Sequence, residues 1–213
     1  MGITHIKRIG CMLTLTAYAA CMLTAQTMRD VLKEMPDSIL PMFTKNDRLD
    51  FIDFIDNNMK ATVRTRFGDT AEMTVLADDF CHIHTAETSH IEMKLLNGGD
   101  ILCVVNSVKN DGWDSSVRFF SRKWERMDGK GMIAMPDVRT FIPKTDGMHD
   151  SEYRNLLNRA DLPYYHITMN ADNTDIKVTY SSAAANDRDY DTLLKPYIHP
   201  DVTMHWNGSS FEH

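Results

Sequence analysis

Between residues 61 and 127 the chain alternates apolar and polar side chains in short runs divided by turn residues, and nothing else restricts its fold as much. Residues 61–67 and 72–77 alternate on either side of Gly68-Asp69. Runs at 80–84, 90–96, 101–108, 117–121 and 124–127 follow, with turns at Asn97-Gly98-Gly99, Asn110-Asp111-Gly112 and Asp128-Gly129. A period of two belongs to strands, and Asn, Asp and Gly supply the turn conformations between them. Connections this short leave no room for a crossover, so the strands form an antiparallel meander.

The segment before the meander supplies a cover. Thr27 is placed to cap a helix with Met28, Val31, Leu32 and Met35 on one face, which Pro36 ends. Residues 28–58 then read as three helical pieces joined at Pro36 and Pro41. The longest, residues 44–58, sets Asp47, Asp50, Asp53 and Asp56 between Leu49, Phe51, Ile52, Phe54 and Ile55. The aspartates are expected outward, with Leu49, Ile52 and Ile55 under the sheet. After the meander come a helical turn at 136–141, a helix capped by Ser151, and a hairpin of 164–169 with 176–181. A helix at 187–195 and a terminal hairpin about Asn207-Gly208, a type I′ turn signal, complete the chain. The expected fold class is therefore α+β: N-terminal helices on an antiparallel meander, with a smaller C-terminal helix-hairpin lobe. Residues 26–213 read as a single domain, with lobes at 26–130 and 136–213.

Residues 1–25 have the parts of a signal peptide. Lys7 and Arg8 precede an uncharged run from Ile9 to Leu23, and Thr24-Ala25 provides small residues before Gln26. The run is shorter than the roughly 20 residues of a spanning helix, and the mature chain holds no transmembrane segment. Ala19-Ala20-Cys21 resembles the end of a lipobox, but Tyr18 and the apolar Met22-Leu23 fit cleavage after Ala25 better than a lipid on Cys21. Removing a leader with two basic residues and no acid takes the formal charge from −7 to −9. That acidity argues against nucleic acid or an anionic membrane as partner, because both demand clustered Lys and Arg.

The mature chain keeps Cys81 and Cys103 alone, too few for a disulfide framework. With a three-residue loop at Asn97-Gly98-Gly99, Met93 faces both cysteines from the strand between them. Two strand spacings separate their Cα atoms by about 9.6 Å, beyond the roughly 7 Å limit of a disulfide. Two free, buried thiols are expected.

The one constellation with ligand chemistry is His82-Ile83-His84 with His90 and Glu92. If Cys81 and Ile83 share the buried face with Ile91, Met93 and Leu95, then His84 opposes His90 and His82 opposes Glu92 on the other face. Three imidazoles and a carboxylate match a zinc site; Lys94 on the same face, and the ordinary fate of a polar face as a solvated one, weigh against it. The aspartate series does not suit calcium, since a continuous helix cannot wrap an ion as a calcium loop does. No nucleophile elbow, phosphate-binding Gly-rich loop, His-Glu-x-x-His or Cys-x-x-Cys is present. Of the fifteen methionines three lie in the leader; most of the others serve as core filling, the alternative being the lining of an adaptable apolar groove.

Met35-Pro-Asp-Ser-Ile-Leu-Pro41, the segment from Thr44 to Lys60, Glu92-Met-Lys-Leu-Leu96 and Ile101-Leu-Cys-Val-Val105 together resemble an uncharacterised secreted family of Bacteroidetes, grouped as a domain of unknown function. The resemblance implies a periplasmic or cell-surface location and brings no functional residues. The expected function is an exported, non-enzymatic binding or interaction protein for a protein or small-molecule ligand. The alternative is a metal-dependent hydrolase or metal-binding protein on His82, His84 and His90.

Overall fold

The computed structural model describes residues 26–160, 163–182, 190–199 and 201–213. The leader expected at 1–25, with Cys21, lies outside them, as do residues 187–189 of the helix expected at 187–195. Six strands, β1 (Ala61–Arg64), β2 (Thr70–Leu76), β3 (Phe80–Ala86), β4 (Ser89–Leu96), β5 (Ile101–Lys109) and β6 (Trp113–Ser121), form one antiparallel sheet in chain order. A second antiparallel sheet contains β7 (Pro163–Met169), β8 (Ile176–Ser182), β9 (Val202–Trp206) and β10 (Phe211–Glu212) in the order β10-β9-β8-β7. The fold is the expected α+β, but the central strands β4 and β5 of the meander are buried on both faces. Helices α1 (Met28–Glu34) and α2 (Lys45–Asp56) pack with Ile83, Ile91 and Met93 on one face. The second sheet, with α3 (Val138–Phe141) and α4 (Asp150–Arg159), packs with Cys103, Val105 and Phe119 on the other.

Both N-terminal helices open on reciprocal capping boxes. Thr27 Oγ1 accepts from Asp30 N–H while the Asp30 carboxylate accepts from Thr27 N–H, and Thr44 and Asp47 repeat the arrangement. Asp47 is therefore a cap, and Asp56 bridges to Arg29 at 2.8 Å, leaving Asp50 and Asp53 exposed as expected. The inner face of α2 differs from expectation. It is made of Arg48, Phe51 and Ile52, whereas Leu49 and Ile55 are half-buried.

Arg48 is 1% exposed and holds the helical pieces together. Its Nε donates to Leu32 O at 2.9 Å, Nη2 to Met35 O at 2.5 Å, and Nη1 to Phe43 O at 3.2 Å and the Asp37 carboxylate at 2.9 Å. The carbonyls freed where α1 ends and where the chain turns at Pro36 and Pro41 thus find one planar donor. Periodicity reads an arginine as outward; its five donors make it the hub here.

Several local expectations are corrected. The connection from β4 to β5 spans four residues, so Leu96 pairs with Ile101, Met93 opposes Val104, and Cys103 opposes Lys94. Asn97, Gly98 and Gly99 all have positive φ, and a Cβ on Gly99 would meet Gln26 at 3.1 Å. The cysteines are free and buried as expected, but because they lie on opposite faces of the sheet. Strand β6 begins at Trp113, four residues before the expected start, since Asp114-Ser115-Ser116 obscures the alternation. Residues 124–127 form no strand: Trp124 at φ 67° turns the chain, leaving a single bridge between Phe120 and Arg126. His149, not Ser151, occupies the N-cap of α4. In the terminal hairpin Trp206 pairs with Phe211 across a four-residue loop. Gly208 has φ 102° but Asn207 does not share it, which rules out a type I′ turn.

Arg48→Met keeps side-chain volume while removing every donor to three carbonyls. It should lower the unfolding free energy by about 3 kcal/mol in urea denaturation; a loss below about 1 kcal/mol would show that the hub is dispensable. Denatured mature protein should titrate two thiols and native protein none, since burial raises both thiol pKa values.

Candidate functional site

Strands β3 and β4 pair as their apolar pattern requires: His84 opposes His90, His82 opposes Glu92, and Ile83 and Cys81 oppose Ile91 and Met93 on the other face. The row continues from His90 to Ser107 on β5 and Ser115 on β6. This face was expected to be solvated. Instead β7 lies over it, and His90, Glu92, Lys94 and Ser107 are buried, with His82 half-buried and His84 exposed at the margin.

The three expected histidines stand together. Ring centroids are 4.6 Å apart for His82 and His84, 5.2 Å for His82 and His90, and 6.2 Å for His84 and His90. Two members had no sequence signal. His166 arrives on β7 with its ring 5.4 Å from His90, and Trp113 stacks on His166 at 4.6 Å and 12°. Only the packing of distant strands places them. His166 Nε2 is buried without a hydrogen-bond partner.

The fourth expected ligand has another task. Glu92 Oε2 accepts the Met169 N–H at 2.8 Å, joining the two sheets. Lys94 Nζ is held by Asp79 Oδ2 at 2.9 Å and donates to Ala171 O at 3.0 Å, so its charge is locally balanced. Thr74 Oγ1 lies 2.6 Å from His82 Nδ1 and donates to His82 O at 3.5 Å. In the tautomer with the proton on Nδ1 the hydroxyl accepts it, and Nε2 is then the nitrogen whose lone pair is left for a ligand. Among the described residues, no three His, Cys, Asp or Glu side chains are arranged to hold a metal ion as they stand. Clefts among the described residues lie elsewhere, among them one of about 330 Å³ beside Met148, Glu152, Arg159 and Tyr197, one of about 460 Å³ beside Asn170, Asp175 and Lys177, and one of about 340 Å³ beside Gln26, Asp79 and Gly99.

The sequence matches, over residues 20–211, the family described as "Protein of unknown function (DUF3256)". The chain belongs to this family. Its fold is similar to a solved domain of an uncharacterized protein from Porphyromonas gingivalis W83, with a TM-score of 0.70 and 18% identity, covering 86% of this chain and 96% of that one. No curated protein matches significantly.

In this member of the family, burial sets the protonation of the site. It pushes His82 down to about 4, assisted by His84, and His90 to about 4, assisted by His82, His166 and His84. Burial also lowers His166, with Lys177 adding to it. Glu92 is raised to about 7 by burial, against the opposing pull of the Met169 N–H. The imidazoles are thus kept neutral with lone pairs available, while Glu92 is poised between its two forms.

The two kinds of group have opposite linkage. His82 and His90 contribute stability above their ordinary 6.5 that is lost as pH falls toward about 4, whereas the Glu92 contribution is present below its ordinary 4.5 and lost as pH rises through about 7. Glu92→Gln removes only the second loss. Relative to the parent, the variant should gain on the order of 3 kcal/mol between pH 4.5 and 8 in denaturation experiments. A difference independent of pH would contradict the raised carboxyl.

Proposed function

We propose that the protein is an exported, non-catalytic binding module, and that its ligand is taken at the imidazole and indole face where β3, β4, β6 and β7 meet. The observation that carries this reading is the gathering of four histidines and Trp113 from both sheets, with His84 open to solvent and His166 Nε2 unpartnered. Imidazole lone pairs and a stacked indole offer coordination and packing to a ligand. Export is supported by Lys7, Arg8, the uncharged run after them and Thr24-Ala25. No helix among the described residues is long and apolar enough to cross a membrane.

A metal-dependent hydrolase on the same histidines is the second reading, favoured by a buried carboxyl near neutrality beside them. The burial of Glu92, with one carboxyl oxygen engaged by the Met169 N–H, weighs against it, because a general base must meet water. Zinc-supplemented protein should turn over p-nitrophenyl acetate and p-nitrophenyl phosphate no faster than a His82→Ala/His84→Ala variant. Turnover lost in both that variant and Glu92→Gln would establish the hydrolase instead. Cell fractionation with N-terminal sequencing should find a chain beginning at Gln26 outside the cytoplasm; an intact leader in the cytosol would remove export.

A further inference from the structure

We propose that His82, His84 and His90 form a site for one divalent transition-metal ion of the zinc, copper(II) or nickel class. The inference deepens the binding-module reading and rests on it. Three observations carry it independently of any motif.

Spacing is the first. Imidazole nitrogens about 2.0 Å from one ion in tetrahedral array set ring centroids about 5 Å apart. The three rings stand at 4.6, 5.2 and 6.2 Å, within a short ring rotation of that arrangement. The second is orientation. A metal-bound histidine donates its other ring N–H to an oxygen, which fixes the tautomer. Thr74 Oγ1, 2.6 Å from His82 Nδ1, places such an oxygen where the Nδ1–H tautomer would donate. The third is electrostatic. Lys94, the nearest cation on the strand, has its charge matched by Asp79, so a dication entering the cluster is not opposed by a free ammonium.

His84 now meets His82 and His90 edge to face while His82 and His90 are tilted, and their donors do not converge. Uptake therefore turns the exposed His84 ring inward about its side-chain bonds, a motion that surface side chains make within nanoseconds. Three protein donors leave a fourth position for water or a small ligand, as in open zinc sites. His166, stacked on Trp113 and 5.4 Å from His90, backs the His90 ring and limits its rotation. Glu92 is not among the ligands, because it serves Met169.

The test is calorimetric titration of mature protein with zinc chloride, paired with visible spectroscopy of the cobalt(II) form and NMR of the histidine ring nitrogens. One equivalent should bind, cobalt should show a tetrahedral spectrum, and the ring nitrogens of His82, His84 and His90 should shift together. His84→Ala, at an exposed position where the fold is retained, should weaken binding at least ten-fold. Thr74→Val should weaken it several-fold and change the His82 tautomer seen by NMR, which a merely structural role would not do. No saturable uptake, or uptake unchanged by His84→Ala, overturns the site. Either result leaves a non-metal ligand for the binding module, whereas turnover by the metal-loaded protein would sink the module and keep the site.

Discussion

The arrangement depends on how the free edge of β7 is satisfied. Strand β7 pairs with β8 on one side alone, so alternate backbone N–H groups face away from its own sheet. Those of Ile167 and Met169 are met by side chains of the meander, Ser115 Oγ at 2.9 Å and Glu92 Oε2 at 2.8 Å. In return Trp113 N–H donates to Ser181 Oγ at 2.8 Å, and Lys94 Nζ donates to Ala171 O. A buried N–H without an acceptor costs about 1–3 kcal/mol, so the polar residues on the second face of the meander are what allow an edge strand to lie over it.

This docking explains why the histidines collect where they do. The covered face is apolar at one end, around Leu96, Cys103 and Phe119, and polar at the other, around His82, His84 and His90. At the polar end the cover thins: His90 is buried, His82 half-buried and His84 exposed. Burial keeps His82 and His90 neutral, while His84 at the margin opens the cluster to solvent. A fully covered cluster would admit no ligand, and a fully exposed one would be partly protonated near pH 6.5.

The opposite face is served by different physics. Phe43 and Phe51 pack edge to face at 5.3 Å, and Arg48 gathers the carbonyls of the broken helical segment. That layer is a cover held by burial and the Arg48 guanidinium, with the Arg29–Asp56 bridge at its outer side. The two faces of one meander thus carry separate tasks, packing on one and the candidate site on the other.

Much of this was legible in the sequence, for a definite reason. Alternation of period two and short turns are local, and they were enough to set the antiparallel meander, the opposition of His84 to His90 and of His82 to Glu92, and the cover of α1 and α2. Local pattern was weaker where one residue of loop length mattered, as at Asn97 to Asp100, where the longer loop moved Cys103 from Met93 to Lys94. It failed for Arg48, because helical periodicity registers an arginine as outward and cannot see carbonyls 13 and 16 residues away. What the sequence determined by itself was which side chains share a face. Which faces meet was decided only by the tertiary structure, through contacts such as Glu92 to Met169 across 77 residues, and this brought His166 and Trp113 to the cluster. The physical reason is that satisfying a buried strand edge depends on how two separately formed sheets dock, and no pattern within either sheet records that.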